Sequence, residues 1–264
     1  MESYLLIEKM FRLMNEGSNE AVEFLKDIAK GHPCPIVRHE AIFALGEMAV
    51  KEDVEFLKKI VEEDSDYIVK HEALVAIGTL GKNEDIPFLE KYVKNEIPEI
   101  SNSALVGIQR IKDDEDYPRT VSLNPEKYVL ELKNFSPGNQ NRRIQILFQL
   151  MLIGDSKSVE AIAYSLENDP SSIVRHEAGF VMGEIGDDYA VKKTSYLVQK
   201  ERAPIVLHET LFALGTSGKP EALKTIEEYL NHGDYLVSES AKIAKDRLLN
   251  LKNPYSGARH FKRV

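Results

Sequence analysis

The chain has 264 residues, 43% hydrophobic and 29% charged, with a formal net charge of −9, which gives it the core of one large domain or two of ordinary size. The acidic balance excludes nucleic acid as a partner, since phosphate binding needs a basic footprint, and a lone Cys34 excludes a disulfide framework or a thiolate zinc site and points to a reducing compartment. No apolar run is long enough to span a bilayer, so a membrane is not a partner, and the amphipathic start MESYLLIEKMFRLMNEG lacks the apolar stretch of a signal peptide; a cytoplasmic protein is expected.

Apolar residues recur at i, i+3, i+4 and i+7 in segment after segment, and strand signals are lacking. Helices are predicted at 2–15, 18–30, 36–49, 53–63, 66–80, 85–95 and 98–111. Between 112 and 139 an Asp/Glu cluster and three Pro interrupt the periodicity, predicting a linker with a short helix at 126–134. A second series follows at 140–153, 156–168, 172–185, 189–200, 204–216, 220–231 and 235–251. The last stretch, 252–264, is basic, breaks the pattern and reads as an exposed tail. The expected division is therefore an N-terminal half at 1–111, a linker at 112–139, a C-terminal half at 140–251 and the tail.

Across both halves one dipeptide recurs: His39-Glu40, His71-Glu72, His176-Glu177 and His208-Glu209. His71 follows His39 by the same stride as His208 follows His176, and the two pairs look like copies of each other. A repeat of about 32 residues built from helical hairpins is the mark of an α-solenoid, here of about eight hairpins in two pseudo-symmetric halves. The outer repeats hold Ile7, Asn102, Ile144 and Glu239 at the matching position, so the solenoid itself does not require His there. A single His-Glu at a helix start is ordinarily surface decoration favoured by the helix dipole. Four at shared spacing, confined to the central repeats, read instead as a metal site. Gly46, Gly78, Gly183 and Gly215 stand two helical turns after each His. Gly inside a helix costs about 1 kcal/mol against Ala, so these need a reason: close helix packing or, on the reading preferred from their restriction to His-Glu repeats, room for a metal centre, dioxygen or substrate.

Four imidazoles and four carboxylates without thiolate suit iron, manganese or zinc rather than copper(I). HExxH is missing, because Phe43, Val75, Phe180 and Phe212 stand where its second His would fall. Two His and one carboxylate from each half would form the set typical of oxygen-activating non-haem iron. Two such halves facing each other would make a binuclear iron centre with O2 as co-substrate.

The stretch IVRHEAGFVMGEIGD resembles HEAT repeats, and that resemblance covers nearly the whole chain. The four His-Glu units with their LG, IG and MG continuations further resemble the deoxyhypusine hydroxylase family of HEAT-repeat di-iron monooxygenases. That resemblance implies one iron on His39, His71 and Glu72 and another on His176, His208 and Glu209, leaving Glu40 and Glu177 to contact the cationic substrate chain. It also implies hydroxylation of the deoxyhypusine side chain of eukaryotic translation initiation factor 5A. A monomer is expected. Two positions depart from the internal pattern: Leu207 stands where the other three His follow a basic residue, and Thr210 stands where Ala follows the other dipeptides. The rival expectations are a non-catalytic protein-binding scaffold or a HEAT-like bilin lyase.

Overall fold

The structure, a computed structural model, describes residues 2–48, 53–113, 125–133, 135 and 139–250. Among the described residues there are fifteen α-helices and no strand. The chain divides into two compact units, Met1–Pro118 and Arg119–Arg259. The first unit holds α1 (Ser3–Glu16), α2 (Asn19–Gly31), α3 (Pro35–Met48), α4 (Val54–Glu63), α5 (Tyr67–Leu80), α6 (Ile86–Glu90) and α7 (Pro98–Asp113). The second holds α8 (Pro125–Leu132), α9 (Gln140–Ile153), α10 (Ser156–Asn168), α11 (Ser172–Ile185), α12 (Asp188–Val198), α13 (Pro204–Thr216), α14 (Ala222–Glu227) and α15 (Tyr235–Asn250). The tail at 252–264 lies outside the described residues.

Two sequence patterns alternate, and they sort the helices into layers. In α4 only Val54, Leu57, Ile60 and Val61 are buried, one apolar stripe on an otherwise charged helix. In α5 burial takes Ile68, Val69, every residue from His71 to Gly78, and Leu80, so the helix is enclosed on nearly all sides. Accordingly α1, α3, α5 and α7 pack in a row as the inner layer of the first unit, with α2, α4 and α6 each against the next inner helix. The second unit repeats this with α9, α11, α13 and α15 inside and α8, α10, α12 and α14 outside. Starts are marked as the composition predicts: Asp66 accepts from the Ile68 N–H at 3.2 Å, and Pro204 opens α13. Truncating a fully enclosed residue such as Leu74 to Ala would cost about 2–5 kcal/mol.

Three differences from expectation have local causes. The short helix expected within the linker is present as α8, but it packs on α9 and α10 as the first outer helix of its unit; its start at Pro125 precedes that of α10 at Ser156 by one repeat, so it is in phase. The last outer helices are short: α6 and α14 stop at Glu90 and Glu227, where 85–95 and 220–231 were expected. Beyond them the N–H groups of Tyr92 and Tyr229 turn back to the carbonyls of Leu89 and Ile226, at 2.9 and 3.1 Å, so the chain tightens into turns. The third concerns the glycines. A Cβ on Gly215 would lie 2.7 Å from Cα of Ala244, one on Gly183 2.6 Å from Cβ of Ala213, and one on Gly78 would land on the backbone of Gly107. These glycines let neighbouring inner helices touch backbone to backbone. The reading of them as room for a metal or substrate is corrected: the space they leave is filled by the next helix.

The departures at Leu207 and Thr210 also become legible. Arg38 pairs with Asp64 and Arg175 with Glu201, and their Nη1 groups donate to the carbonyls of His32 and Asp169. The buried Arg143–Asp169 pair repeats the tie one repeat earlier. At Arg38 and Arg175 the basic residue before the His thus fastens one repeat to the turn of the next. The same step from Leu207 reaches Gly233, which has no carboxylate to offer, and Leu207 instead joins an apolar cluster with Leu211, Val237 and Ala241. Thr210 faces Gly179, where an added Cβ would stand 2.9 Å from its Cγ2. The corresponding positions of the first unit are Ala73 and Ile42, so bulk has been exchanged across the contact while the space stays filled.

Candidate metal centre

Each of the four His is the fifth residue of its inner helix, and its Glu the sixth. Successive residues point about 100° apart around a helix, so the two side chains of a dipeptide diverge and can meet partners on different sides. Burial of all four His, of Glu40, Glu72 and Glu209 is nearly complete, and Glu177 is half-buried. Groups of this polarity inside an apolar layer require compensation by a partner, a proton or an ion.

In the first unit the rings of His39 and His71 stack across the α3–α5 contact with centroids 6.0 Å apart. Glu72 reaches back towards the other helix: its Oε2 is 3.5 Å from Nε2 of His39 and 3.7 Å from Nε2 of His71. Glu40 lies on the opposite edge of the ring, with Oε1 3.3 Å from Nδ1 of His39. Burial alone would push the His39 imidazolium towards neutrality, but the adjacent Glu40 and Glu72 carboxylates outweigh it and hold its pKa up to about 10, against an ordinary 6.5. Glu40 and Glu72 thus bring carboxylate charge to both edges of the buried His39 ring.

The second unit repeats the arrangement. His176 and His208 stack with centroids 6.4 Å apart, and Oε2 of Glu209 is 3.4 Å from Nε2 of His176. One donor atom from each of His176, His208 and Glu209 falls within 4.8 Å of the others. In both units, therefore, a carboxylate of the second dipeptide reaches Nε2 of the first His, a distinction that the sequence pattern does not make.

The donor set fits a first-row divalent metal. Nitrogen and oxygen donors bonded to such an ion at about 2.0–2.2 Å lie at most about 4.2 Å apart. Separations of 3.4–3.7 Å are too long for good hydrogen bonds and suited to two donors on one ion. Imidazole and carboxylate without thiolate select iron, manganese or zinc over softer metals.

One further residue completes each cluster. Nδ1 of His71 is 2.7 Å from Oγ of Ser103 on α7, and Nδ1 of His208 is 2.8 Å from Oγ of Ser240 on α15. The stride that separates the His of each pair, applied once more from the second His, lands on these serines. A stride one residue shorter lands instead on Asn102 and Glu239, which hid them.

Residues 22–109 and 159–244 match the family model for HEAT repeats. Among solved structures the chain is similar to human deoxyhypusine hydroxylase in complex with glycerol, at 22% identity and a TM-score of 0.79, with 90% of this chain and 88% of that chain covered. The complex of CpcE and CpcF of phycocyanin lyase from Nostoc is 18% identical with a TM-score of 0.33, covering 86% of this chain and 94% of that one. An engineered protein is 20% identical with a TM-score of 0.31, covering 92% and 96%. No curated protein sequence matches the chain.

Proposed function

The chain belongs to the HEAT-repeat family, and we propose that it is a di-iron, O2-dependent monooxygenase that hydroxylates the deoxyhypusine side chain of eukaryotic translation initiation factor 5A. The observation that carries the reading is the buried pair of imidazoles closed by one carboxylate, present once in each unit. A scaffold that bound partners through its surface would have no use for eight such residues, seven of them almost wholly removed from solvent. The likeness in fold to human deoxyhypusine hydroxylase supports the choice of substrate.

On this reading His39, His71 and Glu72 hold one iron and His176, His208 and Glu209 the other. When bound, the irons supply the electrons and open positions that activate O2. One oxygen atom enters a C–H bond of the substrate to give an alcohol; the other leaves as water, taking two electrons and two protons from an external reductant. The protein's own part is to hold and to exclude. The apolar inner helices keep bulk water from the clusters, which strengthens every charge interaction inside them. Glu40 and Glu177 receive the cationic amine chain, an assignment supported by their carboxylate charge beside the ligand His. The reading includes a cytoplasmic location and action as a monomer.

The test is incubation of the iron-loaded protein with the deoxyhypusine form of the factor, O2 and a reductant, followed by intact-mass measurement. A gain of one oxygen atom on the factor is expected. An unchanged mass with iron bound would remove the substrate assignment.

A further inference from the structure

We infer that Ser103 and Ser240 are positioning residues that fix the tautomer of one histidine in each cluster, so that His71 and His208 present a preset Nε2 lone pair to the metal. The inference rests on the metal reading above for its purpose, but its geometry stands by itself. Ser103 Oγ donates to the Glu99 carbonyl at 2.6 Å, and Ser240 Oγ to the Leu236 carbonyl at 2.6 Å. A serine hydroxyl has one proton. With that proton committed to the backbone, the contacts of 2.7 and 2.8 Å to His71 and His208 are satisfied only if Nδ1–H of the ring donates and the serine accepts. A neutral imidazole protonated at Nδ1 carries its lone pair at Nε2, the atom that faces Glu72 at 3.7 Å in the first unit.

The arrangement makes the two His of a cluster unequal. Along each inner row, successive repeats carry His, His and Ser in turn at this position. The first His has the second as its neighbour on the following helix, ring stacked on ring. The second has a hydroxyl there, supplied by a repeat that carries no ligand of its own. Ser103 and Ser240 are fully buried, and an outer hydrogen bond of this kind orients a ligating ring and raises its donor strength; its loss typically lowers metal affinity about 10–100-fold.

The experiment uses the full chain with labelled histidine, metal-free, in a long-range proton–nitrogen NMR correlation. Wild-type His71 and His208 are expected as single Nδ1–H tautomers. Ser103→Ala is expected to shift His71 alone to a mixture, and Ser240→Ala to shift His208 alone; each unit thus tests the idea independently should one variant fail to fold by far-UV circular dichroism. A cobalt(II) titration of the same proteins should show one of two binding events weakened about 10–100-fold in each variant. An unaltered histidine spectrum in the folded variants overturns the inference, and so does undiminished cobalt affinity. Wild-type protein that takes up no cobalt sinks the metal reading instead, and the metal-free spectrum then decides the serine role alone.

Discussion

Oε2 of Glu72 lies 3.5 Å from Nε2 of His39, although the two residues belong to different inner helices. That contact closes the first cluster, and the second unit closes its own with Glu209 and His176. His39→Ala is therefore expected to reduce bound iron by about half, because a site missing one of three protein donors no longer competes for metal while the other keeps its set. Helicity should be retained, since α3 is held by Ile36, Val37, Ile42 and Leu45. Elemental analysis after gel filtration checks this, and wild-type iron content in the variant would refute the ligand set.

The glycine two turns after each His gives a second test. A methyl group on Gly215 has the Ala244 backbone 2.7 Å away, so Gly215→Ala is expected to cost about 1–3 kcal/mol by overpacking. Urea unfolding measures it. Unchanged stability with lost metal would restore the view that this glycine makes room for the site.

Gly179 and Thr210 should behave as one unit of volume. Gly179→Ala alone meets the Thr210 methyl at 2.9 Å and is expected to destabilise by about 1–3 kcal/mol. Adding Thr210→Ala should recover part of that loss, a coupling of about 0.5–3 kcal/mol in a double-mutant cycle. Strict additivity would show that the two side chains do not share the space.

The tie between repeats predicts a pH dependence. Glu201 is partly buried, which by itself would raise its pKa, but the Arg175 guanidinium and the N–H groups of Ala203 and Arg202 together hold it below the ordinary value of 4.5. A carboxylate with a depressed folded pKa contributes stability above its unfolded pKa and loses it as the pH falls through the folded value. Glu201→Gln should thus cost about 2 kcal/mol at neutral pH, in the range of hydrogen bonds to charged groups, and the gap from wild type should shrink on acidification below 4.5. A gap independent of pH would mean that the pair contributes only through packing.

Much of this architecture was legible in the chain because one repeat length constrains many positions at once: His39, His71, His176 and His208 each announce an inner helix, and their spacing announces the layers. What escaped was set by tertiary neighbours. Gly215 is explained by Ala244, and Thr210 by Gly179, contacts between helices that no local pattern encodes. The short helix expected at 126–134 is α8, but its place in the repeat was hidden because it sits in an acidic, Pro-punctuated stretch whose phase shows only against α10. Glu72 could not be told from Glu40 by sequence, since the choice depends on which carboxylate reaches across to the neighbouring helix. The serines needed only the right stride.

Each proposed ligand set is compact in sequence: His39 to Glu72 takes in little more than one repeat, as does His176 to Glu209. Little loop-closure entropy is spent in bringing its donors together, and the inner helices that carry them are next neighbours. Such a segment behaves as a cassette. On the proposed metal reading, a gene duplication that copies it delivers a second complete ion site without recruiting a single new ligand, so the number of metals in a protein of this design can change in one genetic event, with specificity left to later drift in the surrounding residues.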